Sequence, residues 1–193
     1  MAVPAPLPLA TDAPIPAYPP SPALSLLARP GQTGVKGRRV ALFVANGVDD
    51  KLVKSLYAEL LKDGAVPRLV GNLLGKVTAA DGDPLDVEIS IEAGPSVMYD
   101  GLIVPNGAEA LARNAQALEF VREQYRHGKP ILVFGAGTDL LTKAMIPQAL
   151  PDGSADPGLV PGDAGNAKAA LDAFERALTA HRVFARETDP PAV

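Results

Sequence analysis

The stretch KPILVFGAG, residues 129–137, decides the fold of this 193-residue chain. Its apolar run ILVF is followed at once by the glycine-rich GAG, and the next residues, TDLL, begin a helical pattern. A short apolar run bounded by glycine is typical of a buried strand. The stretch therefore predicts a strand that turns sharply into a helix, which is the repeating unit of α/β proteins.

The same unit recurs along the chain from Arg38 onward. Buried strands are predicted at 38–45, 65–71, 99–107 and 129–137, and helices at 49–64, 115–128 and 166–186. In the first helix, which Gly64 ends, apolar residues recur every three or four positions: Leu52, Val53, Leu56, Leu60 and Leu61. The last helix is predicted to be capped by Asn166 and to carry on or near one face Ala170, Phe174, Ala177, Leu178 and His181.

Strands that alternate with helices imply right-handed crossovers and a parallel sheet covered on both faces. The predicted fold is therefore an α/β flavodoxin-like three-layer sandwich with a mostly parallel sheet. Short β-rich pieces are expected around the turn sequence DGDP within residues 75–90. Residues 151–165, rich in Gly, Pro and Asp, are predicted to form a long loop.

Residues 1–37 differ from the rest of the chain in composition. They hold nine prolines and few charges, without the periodicity of a helix or a strand, which predicts a Pro-rich extended arm or linker. As an alternative, Leu24, Leu26 and Leu27 would anchor this arm on a surface. The expected organisation is the arm at 1–37, one domain at 38–189 and a tail at 190–193.

Charge and cysteine content exclude several functional classes. The formal net charge is -4 and the one basic cluster is KGRR at 36–39, so nucleic acid is not an expected partner. The chain has no cysteine, which excludes a disulfide framework and a cysteine nucleophile. Its amino end does not resemble a signal peptide and no run of about 18 apolar residues is present, so we expect a cytoplasmic protein without a membrane span.

Ligand sites of open parallel sheets lie at the carboxyl ends of the strands, here residues 45–50, 105–110 and 134–139. Gly135 and Gly137 suggest a dinucleotide loop, but its G-x-G-x-x-G pattern requires glycine where the chain has Leu140. No Walker lysine pattern is present, and the two histidines do not have a metal-ligand spacing. No nucleotide, metal ion or other cofactor is therefore expected in this chain.

A nucleophile elbow places a reactive side chain on the turn after a strand. The corresponding turn here carries Gly135, Ala136 and Gly137, none of which is a nucleophile. The nearest hydroxyl belongs to Thr138, which is expected in the first turn of the next helix with Asp139 as its one local base. The turn is thus a degenerate elbow.

Two pairs of titratable residues have both a functional and a structural interpretation. Asp49 and Asp50 lie at a strand end, where they would serve as acid and base. The favoured interpretation is that they are carboxylates at a helix N-terminus, stabilised by the helix dipole. His127 and His181 are interpreted as residues at the carboxyl ends of two helices, with His181 in the last turn.

Three segments resemble the PfpI-like superfamily of class I glutamine-amidotransferase-like proteins, which includes cysteine hydrolases, glyoxalases and stress chaperones. They are VALFVANGVDD (40–50), YDGLIVPNG (99–107) and PILVFGAGTDLL (130–141). The second is similar to a YDxLxxPGG strand of that superfamily, and the third to its I-C-H-G elbow. The resemblance implies the superfamily's α/β scaffold.

The resemblance also assigns site positions. It places the superfamily's cysteine at Gly135, its histidine at Ala136 and its glycine at Gly137. The acidic partner falls at or just after Asp49 and Asp50, and a small shift in alignment would place it at Leu52. Because the cysteine and the histidine are both missing, the resemblance implies a vestigial acidic loop and no inherited chemistry.

A closer resemblance extends over nearly the whole chain. Residues 21–50, 75–88 and 180–186 are similar to the carboxyl-terminal region of large-subunit monofunctional haem catalases. This resemblance implies a domain attached to a catalase core that removes hydrogen peroxide, with haem in that core. It also implies assembly as a homotetramer, so that the partner is the catalase core or another copy of the chain.

The same resemblance allows a test for haem ligands. The catalase core supplies an axial tyrosine from an R-x-x-x-Y motif and a distal histidine. The residues four positions before the tyrosines of this chain are Pro14, Val53, Pro95 and Val121, and none is arginine. The chain alone is therefore not expected to bind haem or to be a catalase.

Three hypotheses about function follow. The first is a non-catalytic accessory domain that stabilises a catalase oligomer and shapes substrate access. The second is a chaperone-like holdase that binds unfolded client proteins through apolar surface on the arm. The third, and least favoured, is a residual hydrolase or glyoxalase that uses Asp49, Asp50 or Thr138.

Overall fold

The computed structural model describes residues 21–24 and 34–188. By its contacts the chain divides into two units, residues 1–32 and 33–193. In the first unit, the described residues include one 3-10 turn, Pro22–Leu24, in which Leu24 is exposed. The predicted anchors Leu26 and Leu27, most of the predicted arm and the tail at 190–193 lie outside the described residues.

The second unit alternates strands and helices along the chain. Its strands are β1 (Arg39–Phe43), β2 (Val66–Gly71), β3 (Gly75–Thr78), β4 (Pro84–Val87), β5 (Ile89–Ser90), β6 (Gly101–Val104), β7 (Ile131–Phe134) and β8 (Leu159–Gly162). Its helices are α1 (Asp50–Lys62), α2 (Ala115–Arg126), α3 (Thr138–Lys143) and α4 (Ala167–Thr179). Short 3-10 helices include Ser96–Met98, Ala108–Arg113 and Gly135–Gly137.

Six strands form one parallel sheet in the order β5-β2-β1-β6-β7-β8. The strands β3 and β4 form a separate antiparallel hairpin. After β1, the chain adds β2 and β5 on one side of it, and then β6, β7 and β8 on the other side. The strand order therefore reverses between β1 and β6, and open α/β sheets bind ligands at such a switch point.

Helices cover both faces of the sheet. Val40 and Leu42 of β1 pack in a cluster with the apolar residues of α1 and α4, whereas Ala41 and Phe43 pack with those of α2 and α3. This alternation follows from the two-residue period of a strand. The structure confirms the α/β three-layer sandwich. No helix in the described part of the chain is long and apolar enough to cross a membrane.

The predicted loop at 151–165 is wrong in its second half, which contains β8. Pro161 and Gly162 within this strand made the segment resemble a loop. Because β8 lies at the edge of the sheet, one side of its backbone needs no sheet partner, and proline is tolerated there. The interior strand β2 holds Pro67, but its outer neighbour β5 pairs with Val70 and Gly71 only.

The predicted helix at 166–186 ends early. The α4 helix stops at Thr179, and His181 adopts a left-handed φ of 76°, so its placement in the last helical turn is wrong. Asn166 precedes the helix but makes no side-chain capping bond. In α1 the apolar face is as predicted except for Leu61, which is half exposed.

A buried ion pair ties the segment after α4 to the sheet. The Arg186 guanidinium binds both Asp156 carboxylate oxygens, at 2.6 and 3.0 Å, and both side chains are almost fully buried. Its third nitrogen donates to the carbonyls of Lys129 and Tyr125, and the group stacks 4.3 Å from the Tyr125 ring centroid. One side chain therefore joins α2, the start of β7 and the segment that leads into β8.

A second buried polar cluster holds the 3-10 turn Ser96–Met98. The Ser96 carbonyl accepts hydrogen bonds from Gln124 Nε2 at 2.9 Å and Lys129 Nζ at 2.8 Å. Gln124 Nε2 also lies 2.8 Å from Ser96 Oγ. Burial, and secondarily the nearby Arg182 cation, lower the pKa of Lys129 to about 8.

Removing Arg186 should destabilise the domain strongly. We expect Arg186→Met to lower the free energy of unfolding by about 3–5 kcal/mol, because the Asp156 carboxylate would remain buried without its cation. The double variant Arg186→Met, Asp156→Asn should recover much of that loss, since the amide oxygen can still accept from the Gly158 amide. Urea denaturation measures both, and a double variant less stable than Arg186→Met would contradict this account.

The Lys129 shift predicts a specific pH dependence of stability. Between its folded pKa of about 8 and its ordinary value of 10.5, the unfolded chain holds a proton that the folded chain has released. Stability should therefore rise between pH 8 and pH 10, by up to about 2 kcal/mol. Above pH 10 the raised pKa values of the buried Tyr99 and Tyr125 oppose the rise. Urea denaturation at each pH measures this rise in the free energy of unfolding, and Lys129→Met should abolish it. An unchanged rise in the variant would refute its assignment to Lys129.

Candidate functional site

The carboxyl ends of β1, β6 and β7 meet at the switch point of the sheet. The Asp49 amide, after β1, donates to the Asn106 carbonyl, after β6, at 3.0 Å. Gly107 has a φ of 84°, and a Cβ there would overlap the Gly47 carbonyl. The two loops therefore touch backbone to backbone, and the sequence correctly predicted that these strand ends share one edge.

The turn after β7 keeps the backbone geometry of an elbow. Gly135 has a left-handed φ of 49°, directly follows Phe134 of β7, and starts a 3-10 turn that runs into α3. A Cβ at Gly135 would overlap Oδ1 of Asn106. The side chain of Asn106 therefore stands where the first atom of a nucleophile would lie, and Ala136 beside it supplies no base.

Thr138 does not replace the missing nucleophile. It is the first residue of α3, and its hydroxyl donates to the Gly135 carbonyl at 3.2 Å. No base contacts this hydroxyl among the described residues, and Asp139, the predicted local base, is exposed on the same helical turn. The hydroxyl is thus bonded back to the backbone of the turn that precedes α3.

The two aspartates of the acidic loop have separate structural roles. Asp49 is the N-cap of α1, since its Oδ1 accepts from the Leu52 amide at 3.0 Å. Asp50 is buried and pairs with Lys54 at 2.5 Å, and the hydrogen bond from Lys54 is the main reason that its pKa is lowered. Leu52, the alternative position for the acidic residue, is buried in the core. These residues offer no acid and base pair to the elbow.

The structure brings two further carboxylates to Asp50. Oxygens of Asp50, Asp81 and Asp83 lie within 4.8 Å of one another, a spacing compatible with a metal ion. The Lys54 ammonium already lies against Asp50. The pKa of Lys54 is raised, first by the hydrogen bond to Asp50 and also by the charges of Asp83 and Asp81. Sequence reasoning recognised DGDP as a turn but missed this contact, because only the fold brings the β3–β4 turn to α1.

Both histidines lie at helix ends away from the elbow. His127 is the C-cap of α2, and its Nε2 lies 3.0 Å from Glu123 Oε2. His181 follows α4, and its Nδ1 accepts from Arg38 at 3.0 Å. Their hydrogen-bond partners Arg38 and Glu123 belong to the residues before β1 and to α2, not to the loops of the switch point.

The described tyrosines do not fit a haem ligand. Tyr99 and Tyr125 are buried in the apolar core, Tyr125 beneath Arg186, and the Tyr57 hydroxyl donates to Glu88 at 3.1 Å. None of them lines either of the cavities described beside α2 and α4.

Comparison with known proteins identifies relatives of this arrangement. Residues 36–188 match the family model of the C-terminal domain found in long catalases. Catalase HPII of Pseudomonas putida is 40% identical over 180 residues, which are 90% of this chain and 23% of that protein. Catalase HPII of Mycobacterium avium is 35% identical over 187 residues, 89% of this chain and 26% of that protein. Catalase-1 of Neurospora crassa is 34% identical over 131 residues, 66% of this chain and 18% of that protein.

These relatives are much longer than the matched region, and the chain spans between 18% and 26% of their lengths. The family match covers the whole sandwich from the residues before β1 to the segment after α4. It includes the Gly135–Gly137 turn with Asn106 packed over it, which we call the closed elbow. It also includes the acidic loop and the buried Arg186. The chain therefore belongs to the family of C-terminal domains found in long catalases.

Proposed function

We propose that this chain is a non-catalytic accessory domain of a long catalase, which stabilises the assembled enzyme and shapes the access of hydrogen peroxide to haem held elsewhere. The observation that carries the proposal is the contact of Asn106 Oδ1 with Gly135, because it fills the one position from which this scaffold would present a nucleophile. A scaffold that is retained without its chemistry is best explained by a binding role.

The proposal includes the organisation of the longer protein. Residues 1–37 connect the domain to the haem-bearing part, and residues 38–189 form the accessory domain. The partner is that haem-bearing part in a homo-oligomer, and this chain itself supplies no cofactor. The cytoplasmic location stays a prediction.

The other two hypotheses have less support. Asp49 caps a helix, Asp50 pairs with Lys54, and the Thr138 hydroxyl donates to the Gly135 carbonyl. These commitments argue against a residual hydrolase or glyoxalase. For a holdase, Leu24 is the one described member of the proposed apolar anchor. The relatives named above are catalases rather than chaperones.

A chimaera tests the accessory role directly. The matched region of Pseudomonas putida catalase HPII would be replaced by this whole chain, and thermal inactivation of its catalase activity would be compared with the intact enzyme and with a deletion of that region. We expect the chimaera to resist inactivation better than the deletion. A chimaera as labile as the deletion would count against the accessory role.

The isolated chain should be silent in haem and peroxide assays. We expect no Soret shift on titration with haem and no peroxide decomposition above buffer, because Tyr99 and Tyr125 are buried and Tyr57 is engaged. Absorbance spectroscopy and oxygen release measure both. Stoichiometric haem binding with turnover would overturn the non-catalytic assignment.

The closed elbow predicts an unusual cost for a small substitution. Gly135→Ala should destabilise the domain more than Gly153→Ala, since both glycines have a left-handed φ but nothing lies within 4 Å of a Cβ at Gly153. The control should cost about 1–2 kcal/mol. Adding Asn106→Ala to Gly135→Ala should remove the excess, as measured by chemical denaturation. Equal losses for the two single variants would show that Asn106 does not close the elbow.

A further inference from the structure

A groove beside α2 combines an apolar floor with an acidic rim. It has a volume of about 260 Å³ and lies between the Ser96–Met98 turn and α2. We call it the acidic groove and define it by its apolar residues Ile91, Pro95 and Phe120 and its carboxylates Glu92, Glu119 and Glu123. Small-molecule sites span about 300–1,000 Å³, so the acidic groove better suits one protein side chain.

Two exposed apolar side chains belong to the same 3-10 turn as Ser96, which lines this groove. Val97 is 80% exposed and Met98 is 38% exposed, and both belong to the 3-10 turn that forms one wall. An apolar anchor surrounded by a polar rim is typical of the centre of a protein interface. The larger cavity of about 440 Å³ beside Asp63 and Glu175 has no exposed large apolar residue in its lining.

Buried side chains fix the turn that carries Val97 and Met98. The buried Gln124 and Lys129 both donate to the Ser96 carbonyl, so three hydrogen bonds, with that to Ser96 Oγ, fix the turn. A surface that is ordered before binding loses less conformational entropy when a partner docks. The buried lysine and glutamine thus pre-organise an exposed apolar surface.

The charges of the rim indicate the chemistry of the partner. Glu119 pairs with Arg122 at 3.4 Å, and Glu123 pairs with Arg126 at 2.7 Å, both within α2. Glu92 is exposed and has no ion pair among the described residues. A cation that docks beside the groove would therefore meet one uncommitted carboxylate and two partly neutralised ones.

We propose that the acidic groove is the docking site for the haem-bearing part of the longer catalase, which inserts one apolar side chain with a Lys or Arg beside it. The apolar side chain packs on Phe120 and Val97, and the cation pairs with Glu92. This inference rests on the proposed accessory function, and it adds which face of the domain meets the partner.

Point variants in the chimaera test the inference. Val97→Asp and Glu92→Lys should each speed proteolytic release of the domain about tenfold, equivalent to a loss of about 1.4 kcal/mol of docking free energy. The matched controls are Leu74→Asp, an exposed apolar residue between β2 and β3, and Glu187→Lys, an exposed carboxylate after α4. Both controls should release the domain at the rate of the unsubstituted chimaera.

Thermal unfolding of the full-length isolated chain separates a folding defect from a loss of docking. All four substituted side chains are exposed, so the four variants should unfold at the temperature of the unsubstituted chain. In one outcome, protease releases the domain from the unsubstituted chimaera as fast as it cuts a fully exposed linker. The accessory function then fails, and the docking inference fails with it. If that chimaera holds its domain but Val97→Asp and Glu92→Lys leave release unchanged, the accessory function stands and the groove assignment is overturned.

Discussion

The burial of a parallel sheet on both faces is the constraint on which the rest of the structure depends. The strands β1, β6 and β7 are almost wholly enclosed between α1 and α4 on one side and α2 and α3 on the other. Such a sheet offers loops only at its two ends. Every polar feature described here therefore lies at one end of the strands or along the outer surface of the helices.

The carboxyl end, where open α/β sheets bind ligands, is closed in this domain. Asn106 occupies the space above Gly135, and the loops after β1 and β6 meet through Asp49 and the close approach at Gly107. These contacts fill this edge of the sheet with packed backbone and side-chain atoms. On the proposed accessory function, we expect a substitution series at this edge to change stability rather than a reaction rate.

The sequence allowed the three-layer fold and the switch-point loops to be predicted, because both depend on local patterns such as ILVF followed by GAG. It could not reveal β8, whose Pro161 resembles a loop until the edge position is known. Nor could it reveal Asn106 over Gly135, or Asp156 beneath Arg186, since these pairs are 29 and 30 residues apart in the chain. Local periodicity contains no information about such partners.

The polar groups that are costly to bury lie at the opposite, amino end of the sheet. Lys129 and Asp156 precede β7 and β8, and Arg186 and the Ser96–Met98 turn pack against them. A buried ion pair contributes little net stability compared with apolar packing, and its best-supported role is to fix one arrangement. Here the ion pair fixes α2 against the starts of β7 and β8. The wall of the acidic groove is fixed by the hydrogen bonds from Gln124 and Lys129 to Ser96. The buried polar clusters of Lys129 and Arg186 thus lie at the amino ends of β7 and β8, and the first of them holds the wall of the groove proposed for the partner. At the carboxyl ends, Asn106 packs over Gly135.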